Sequence, residues 1–174
     1  MSVNVSDTES TFSPDVVITT GQGGSIHAGQ SVTVLGLLNY DEVNDEFLRF
    51  SDGYGAFGNA EGTGVALLAA VDHTVIDVDN NSLVDVTVAE NMSLTSTSGD
   101  INVAARHSNE AYGAGSTGGF GGFARVADIT ADIKATGTTN VSFLGDVGDG
   151  TAAAASDINF DAAALSAATS TMSS

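Results

Sequence analysis

The segment SGDINVAARHS (Ser98–Ser108) is written again, loosely, as ASDINFDAAALS (Ala155–Ser166), which sets Ile101 and Ile158 57 residues apart. VDHTVIDV (Val71–Val78) and ADITADIK (Ala127–Lys134) agree in the same way at a spacing of 55 to 56, and LVDVTV and TNVSFL follow at a similar distance. SVTVLG (Ser31–Gly36) joins DINVAA and DINFDA as a third copy if the acidic segment 39–62 is an insertion. A block of about 55 residues is thus laid down some two and a half times. A fixed period in a strand-rich sequence punctuated by Gly and Asn is the mark of a solenoid. Because 55 residues exceeds one coil of a β-helix, the period predicts about two coils per repeat, stacked at the ordinary strand spacing of about 4.8 Å. On this reading Ile101, Ile158, Val103 and Phe160 all point into the core. The Asn of each DIN lies on the other face and hydrogen-bonds along the stack. Ala66, Ala69, Ala104 and Ala127 suit a narrow interior.

The remaining patterning agrees with many short strands. DVVITT (Asp15–Thr20) is a strand, and GSIHAGQSVTVLGLL (Gly24–Leu38) gives two more, separated by Gly29. VALLAAVDHTVIDV (Val65–Val78) is the most apolar stretch. After a turn at DNNS, Leu83, Val84, Val86 and Val88 alternate with polar residues in the period of two of a half-buried strand. Residues 1–13 are polar and unpatterned and read as a loose leader, so one β-solenoid domain is expected over 14–174. Any helix should be short and confined to 39–62 or 161–172. The chain has 21 Gly and a single Pro, and lacks the Glu-, Lys- and Leu-rich periodicity of a helical protein.

With 22 acidic residues against Arg49, Arg106, Arg125 and Lys134, the net charge is −18. Four scattered cations cannot build a phosphate-binding surface, which excludes nucleic-acid backbone recognition. They also cannot dock the chain on an anionic membrane. Such charge keeps a protein soluble outside a cell or in salt, and it attracts cations such as calcium. The absence of Cys removes disulfides, thiolate metal sites and thiol nucleophiles. No apolar run approaches the roughly 20 residues of a membrane span. The first residues lack a signal peptide's basic and apolar regions, so a secreted parent protein would make this chain an internal piece.

The order DINVAA, then GAGSTGGFGGFARVADITADIKATGTTNVSF, resembles the repeats of filamentous haemagglutinin-like and leukotoxin-type filamentous adhesins over roughly residues 21–165. The resemblance implies an all-β, right-handed parallel β-helix (β-solenoid), used as the stalk of a secreted surface protein. The acidic, aromatic insert at 39–62 departs from that pattern.

Several segments carry candidate chemistry. Asp77, Asp79, Asn81 and Asp85 begin like a calcium loop. Yet Ser82 stands where the turn requires Gly, and Val88 where a bidentate Glu belongs, so a polar turn is the plainer reading. GDVGDG (Gly145–Gly150) is a similar loop with two carboxylates. GAGSTGGFGG is followed by neither the Lys-Ser/Thr of a phosphate loop nor a helix, and reads as a turn. His27, His73 and His107 lack metal-ligand spacing. Asp72, Asp77 and Asp128, with Arg125 nearby, could share one wall of a solenoid as in pectate-lyase-like enzymes. Aspartates at equivalent repeat positions are more simply expected as solvated outward residues. The insert offers Tyr40, Phe47, Phe50, Tyr54 and Phe57 among acids. It is read either as a contact for a ligand or partner, or as a cap over an open coil end.

The expected function is a non-catalytic structural and interaction segment of an extracellular bacterial surface fibre or adhesin. Its partners would be further copies of itself, head to tail, or a glycan or protein of a host or neighbouring cell surface. The rival is a carbohydrate-binding or carbohydrate-cleaving β-helix of the lyase or tailspike type. A groove of acids, bases and aromatics would favour the rival, and a smooth Thr, Ser, Asn and Gly wall the fibre.

Overall fold

The computed structural model describes residues 2–148 and 155–173. The alternation read in LVDVTV extends through a strand of 20 residues, β8 (Ala69–Val88), whose every second side chain is buried. β-Branched residues dominate it, as suits a pleated surface packed on one face. Three passes of the chain supply such strands. The first contributes β1 (Ser2–Phe12), β2 (Asp15–Thr19), β3 (Ser25–Ala28), β4 (Val32–Leu38) and β7 (Ala56–Ala66). Between β4 and β7 lie a hairpin of β5 (Tyr40–Asp41) and β6 (Glu46–Phe47) and a single 3-10 turn (Phe50–Asp52). The second pass gives β8, β9 (Ser93–Ser96) and β10 (Ile101–Gly121). The third gives β11 (Ala124–Phe143), β12 (Asp146–Val147) and β13 (Ile158–Ser173).

Each pass adds one layer to the same three parallel sheets. The first sheet has β1 and β2 on one side of β8 and β11 on the other; the second has β4 and β7, then β10, then β13; the third orders β3, β9 and β12. Ala69 pairs with Ala124, an offset of 55, and Ile101 pairs with Ile158, an offset of 57. One period is therefore one layer. The expectation of two coils per repeat is corrected: strands as long as 20 residues use up the whole repeat in a single pass. The offset falls from 69 (Val32 with Ile101) to 55 (Ala56 with Ala111), so the first pass carries 14 extra residues between β4 and β7.

The first two sheets face each other, with the third at one end. Val84, Val86 and Val88 meet Leu94, Ile101, Val103 and Ala105 in one core cluster. Ile76 and Val78 meet Ala56, Ala60 and Ala111 in another. Between them the interior is polar: Asn80, Ser82, His107 and Asn109 are buried. At the far end the chain reverses sharply, where the backbone N–H of Gly122 bonds Ala66 and that of Phe123 bonds Leu68, each at 3.0 Å. This corner puts the start of the most apolar stretch outside, with Leu67 88% exposed, and beside it Phe123 of the next layer 86% exposed.

Other expectations are corrected. Residues 2–12 are not a loose leader but β1, hydrogen-bonded along β8 from Ser2–Ala70 to Phe12–Asn80. DNNS is no turn; it lies inside β8. The segment 161–172 belongs to β13, and a 3-10 turn is the insert's only helix among the described residues. Ala104 is buried but faces outward, in phase with Asn102 rather than with Val103, beneath the insert. Ala69 precedes the inward Ala70 and is out of phase with it. The paired Ile101–Ile158 and Val103–Phe160 do share the inward phase. The expected amide link is present on the opposite, outward face, where Asn159 Nδ2 donates to Asn102 Oδ1 at 2.9 Å.

Candidate functional site

The insert does not cap an end of the stack. It folds from the first layer over the outer face of the second sheet, against the middle layer. Asn39, in the left-handed region at φ 51°, turns the chain out of β4 and donates from Nδ2 to the Ser108 carbonyl at 3.1 Å. Asp41 closes the hairpin loop by accepting from the backbone N–H of Val43 at 2.9 Å and from Asn44 Nδ2 at 2.7 Å. These bonds, that of the Asn44 side chain first, hold the Asp41 carboxyl below the ordinary carboxylate range. The backbone N–H of Phe50 donates to the Glu110 carboxylate. Gly55 brings the chain back at φ 128°, where a Cβ would lie 2.6 Å from the Glu110 carbonyl oxygen; only glycine fits.

Arg106, outward on β10, is the hub. Its Nη1 donates to Asp45 Oδ1 at 2.9 Å and to the Tyr40 hydroxyl, and its Nη2 to Asp161 Oδ2 at 2.6 Å. Its guanidinium also lies 5.1 Å from the Tyr40 ring centroid, within cation–π range. The Tyr40 hydroxyl donates to Asp45, and that bond raises the phenol's pKa and lowers that of the carboxyl. A groove of about 300 Å³ opens beside this cluster. Leu35, Leu37 and Ala104 give it an apolar floor, and Asn102, Asn159, Asp161, Glu42 and Asp45 a polar rim.

Of the insert aromatics, Tyr40 lines the groove and meets Phe47 edge-on at 5.2 Å. Phe50 stacks on Tyr112 at 5.0 Å and on Phe57 at 5.7 Å, as a second cluster along the same face. Tyr54 is exposed. The sequence does not single out Arg106 and Asp161 as site residues, and it marks Asn102 and Asn159 only as an amide ladder. The signal lay in the repeat itself, since both asparagines belong to the DIN copies and would have been found by asking what the outward residues beside an insertion can touch.

The other candidates disperse. Asp77, Asp79 and Asp85 sit at outward positions of β8, and Asn81 continues the row. At roughly 3.3 Å per residue the strand holds the outer pair far beyond reach of one calcium ion. Among the described residues no group of three His, Asp or Glu side chains is placed to hold a metal. Asp72, Asp77 and Asp128 do not share a wall. In register Asp72 lies beside Ala127 and His73 beside Asp128, so Asp72 faces inward, fully buried and paired with Arg125 at 3.2 Å, while Asp128 and Asp77 face out. His73 pairs with Asp128 at 2.9 Å on the surface, and His27 contacts Thr97 at 3.3 Å. His107 is buried against Thr139, and desolvation lowers its pKa. In GDVGDG, β12 takes up Asp146–Val147, and residues 149–150 lie outside the described residues. GAGSTGGFGG is not a turn over its length, since most of it continues β10.

No family model matches the chain, and neither a curated protein nor a solved structure matches it.

Proposed function

We propose that the chain is a closed, right-handed β-solenoid segment of an extracellular bacterial surface fibre or adhesin, serving a structural and interaction role without catalysis. The observation that carries this reading is the layer-on-layer pairing in parallel register. A layer that stops leaves a row of unpaired backbone groups that templates the next. β11 and β13 form straight edges of 20 and 16 residues with no proline, and β1, β2, β4 and β7 form the matching edge opposite. In the isolated chain these edges join copies head to tail, a heterologous contact that grows filaments rather than closed dimers. Light scattering over a concentration series tests this, in a buffer of about 0.15 M salt that screens the charge. Mass should grow with concentration, and Ala131→Lys with Ala164→Lys, placing charges at inward positions of the last layer, should abolish the growth. A chain that stays monomeric at millimolar concentration overturns it.

The groove beside Tyr40 favours a second reading, a carbohydrate-binding solenoid. The cleaving form has less support, because Asp72 lies on the opposite face from Asp77 and Asp128.

A further inference from the structure

We propose that the groove between the insert and the second sheet is a binding site for one ring of a neutral sugar. The proposal deepens the carbohydrate-binding reading and is independent of end-to-end assembly, because the groove lies on the side of the stack.

The lining joins an apolar floor to a polar surround. Leu35 and Ala104, from adjacent layers, and Leu37 beside them form an apolar strip that fits the C–H face of a pyranose. One pleat away on one side stand Asn102 and Asn159, on the other stands Arg106 in register with Leu37, and Asp161 continues the row of Leu35 and Ala104 in the third layer. Outward residues two apart on a strand are separated by roughly 7 Å, and neighbouring layers by about 4.8 Å. Hydrogen-bonding groups thus stand around a space matched to a ring carrying hydroxyls on its edges. The volume of about 300 Å³ is at the small end of ligand sites.

The chemistry of the rim selects the class. A sugar hydroxyl both donates and accepts, so it needs donors and acceptors side by side. Asp45 and Asp161 accept, the Arg106 guanidinium donates, and the Asn102–Asn159 pair does both. The bond between the two asparagines uses one of Asn159's two N–H donors, leaving the carboxamides most of their capacity. Anions are disfavoured: three carboxylates, Glu42, Asp45 and Asp161, surround one guanidinium that is already paired with two of them. The site is built before the ligand arrives, since Tyr40, Asp45 and Asp161 lock the Arg106 side chain and Asn39 anchors the loop. A peptide strand gains nothing here, because the floor is the face of a sheet and not its edge.

The test is titration of the full chain, isotope-labelled, with the methyl glycosides of glucose, galactose and mannose, and separately with glucuronate, followed by side-chain and backbone NMR. At least one neutral glycoside should give saturable shifts at Asn102, Asn159 and Arg106, with Kd in the millimolar range or tighter. Glucuronate should bind at least about tenfold more weakly, the factor that 1.4 kcal/mol represents. Asn159→Ala, an exposed change that spares the loop anchors, should weaken the glycoside about tenfold. Arg106→Lys should do likewise by losing the fork that orients the rim. If no neutral glycoside shifts the groove while the spectrum remains that of the folded chain, the proposal fails. It fails equally if the shifts map elsewhere, if Asn159→Ala binds as the parent does, or if glucuronate binds as tightly. The Ala131→Lys, Ala164→Lys chain should bind unchanged; a groove that binds only in assembled chains would refute the independence claimed for it.

Discussion

The second and third layers carry the same DIN sequence in the same register and bury it differently. Ile101 and Val103 have no exposure, while their partners Ile158 and Phe160 are 47% and 49% exposed. Phase is set by the strand's own alternation, whereas burial needs a neighbour on both sides, and only the middle layer has two. Phe160 recovers part of the loss by packing on Phe143 with ring centroids 4.9 Å apart. The largest expected effect follows. Ile101→Ala should cost roughly 2–5 kcal/mol in urea unfolding, as for a buried large-to-small change. Ile158→Ala should cost less than half of that, because its site opens to solvent and leaves no closed cavity. Equal losses would mean that the third layer's inward face is covered.

A second link between these layers is the pair of Arg125, from the third, with Asp72, from the second. Asp72 is fully buried and Arg125 about a quarter exposed. Arg125→Met keeps the packing volume and strands a buried carboxylate, so a loss of roughly 1–3 kcal/mol is expected. If the variant is as stable as the parent, Asp72 is solvated and not the inward residue described above.

The same one-layer shift explains what the sequence could and could not reveal. DIN and SVTVLG align because they bear apolar residues at inward positions, and their pairing is the observed one. VDHTVIDV was matched to ADITADIK through shared Asp and Thr, one residue out of the true offset. With a side-chain period of two, that slip exchanges the faces and put Asp72 beside Asp128 on a false wall. β1 was illegible for a related reason. It turns Ser, Asn, Ser, Thr and Ser toward the interior and Val3 and Val5 outward, reversing the pattern by which a half-buried strand is recognised. Leu67 and Leu68 misled in the opposite sense, since a two-residue corner cannot bury its own side chains. In the site, the insert's aromatics were legible as foreign to the repeat. Arg106 and Asp161 were not, because only folding brings them to Tyr40 and Asp45.

Between the two layers, His107 tests whether the polar interior is dry. Its pKa is lowered by desolvation, so the folded chain binds a proton less readily than the unfolded one. Stability on this account is fully present above the unfolded value near 6.5 and is lost as pH falls below it toward the depressed folded value. The slope attributable to one group is at most about 1.4 kcal/mol per pH unit. Urea unfolding between pH 7.5 and 5.5 should show this decline in the parent, and His107→Gln should flatten it. An unchanged slope in the variant would place the proton uptake elsewhere.

The smallest effect belongs to the outer surface of the first sheet, where Glu9, Asp77 and Asp132, one from each layer, stand in register as a column of like charges. Carboxylates one strand spacing apart repel. Lys134, paired across from Asp79, reaches Asp132, and that contact raises the lysine's pKa. Both partners are more than half exposed, so water screens the gain. Lys134→Gln should therefore give only a small loss of stability at low ionic strength, well below that of Arg125→Met. At about 1 M salt, where the screening length falls to roughly 3 Å, the difference from the parent should vanish. Arg125→Met, by contrast, should keep its loss at both ionic strengths, because the carboxylate it strands lies out of reach of the counterions. If the two substitutions respond alike to salt, the inward and outward faces of these strands are not electrically distinct, and the phase assigned to Asp72 is wrong.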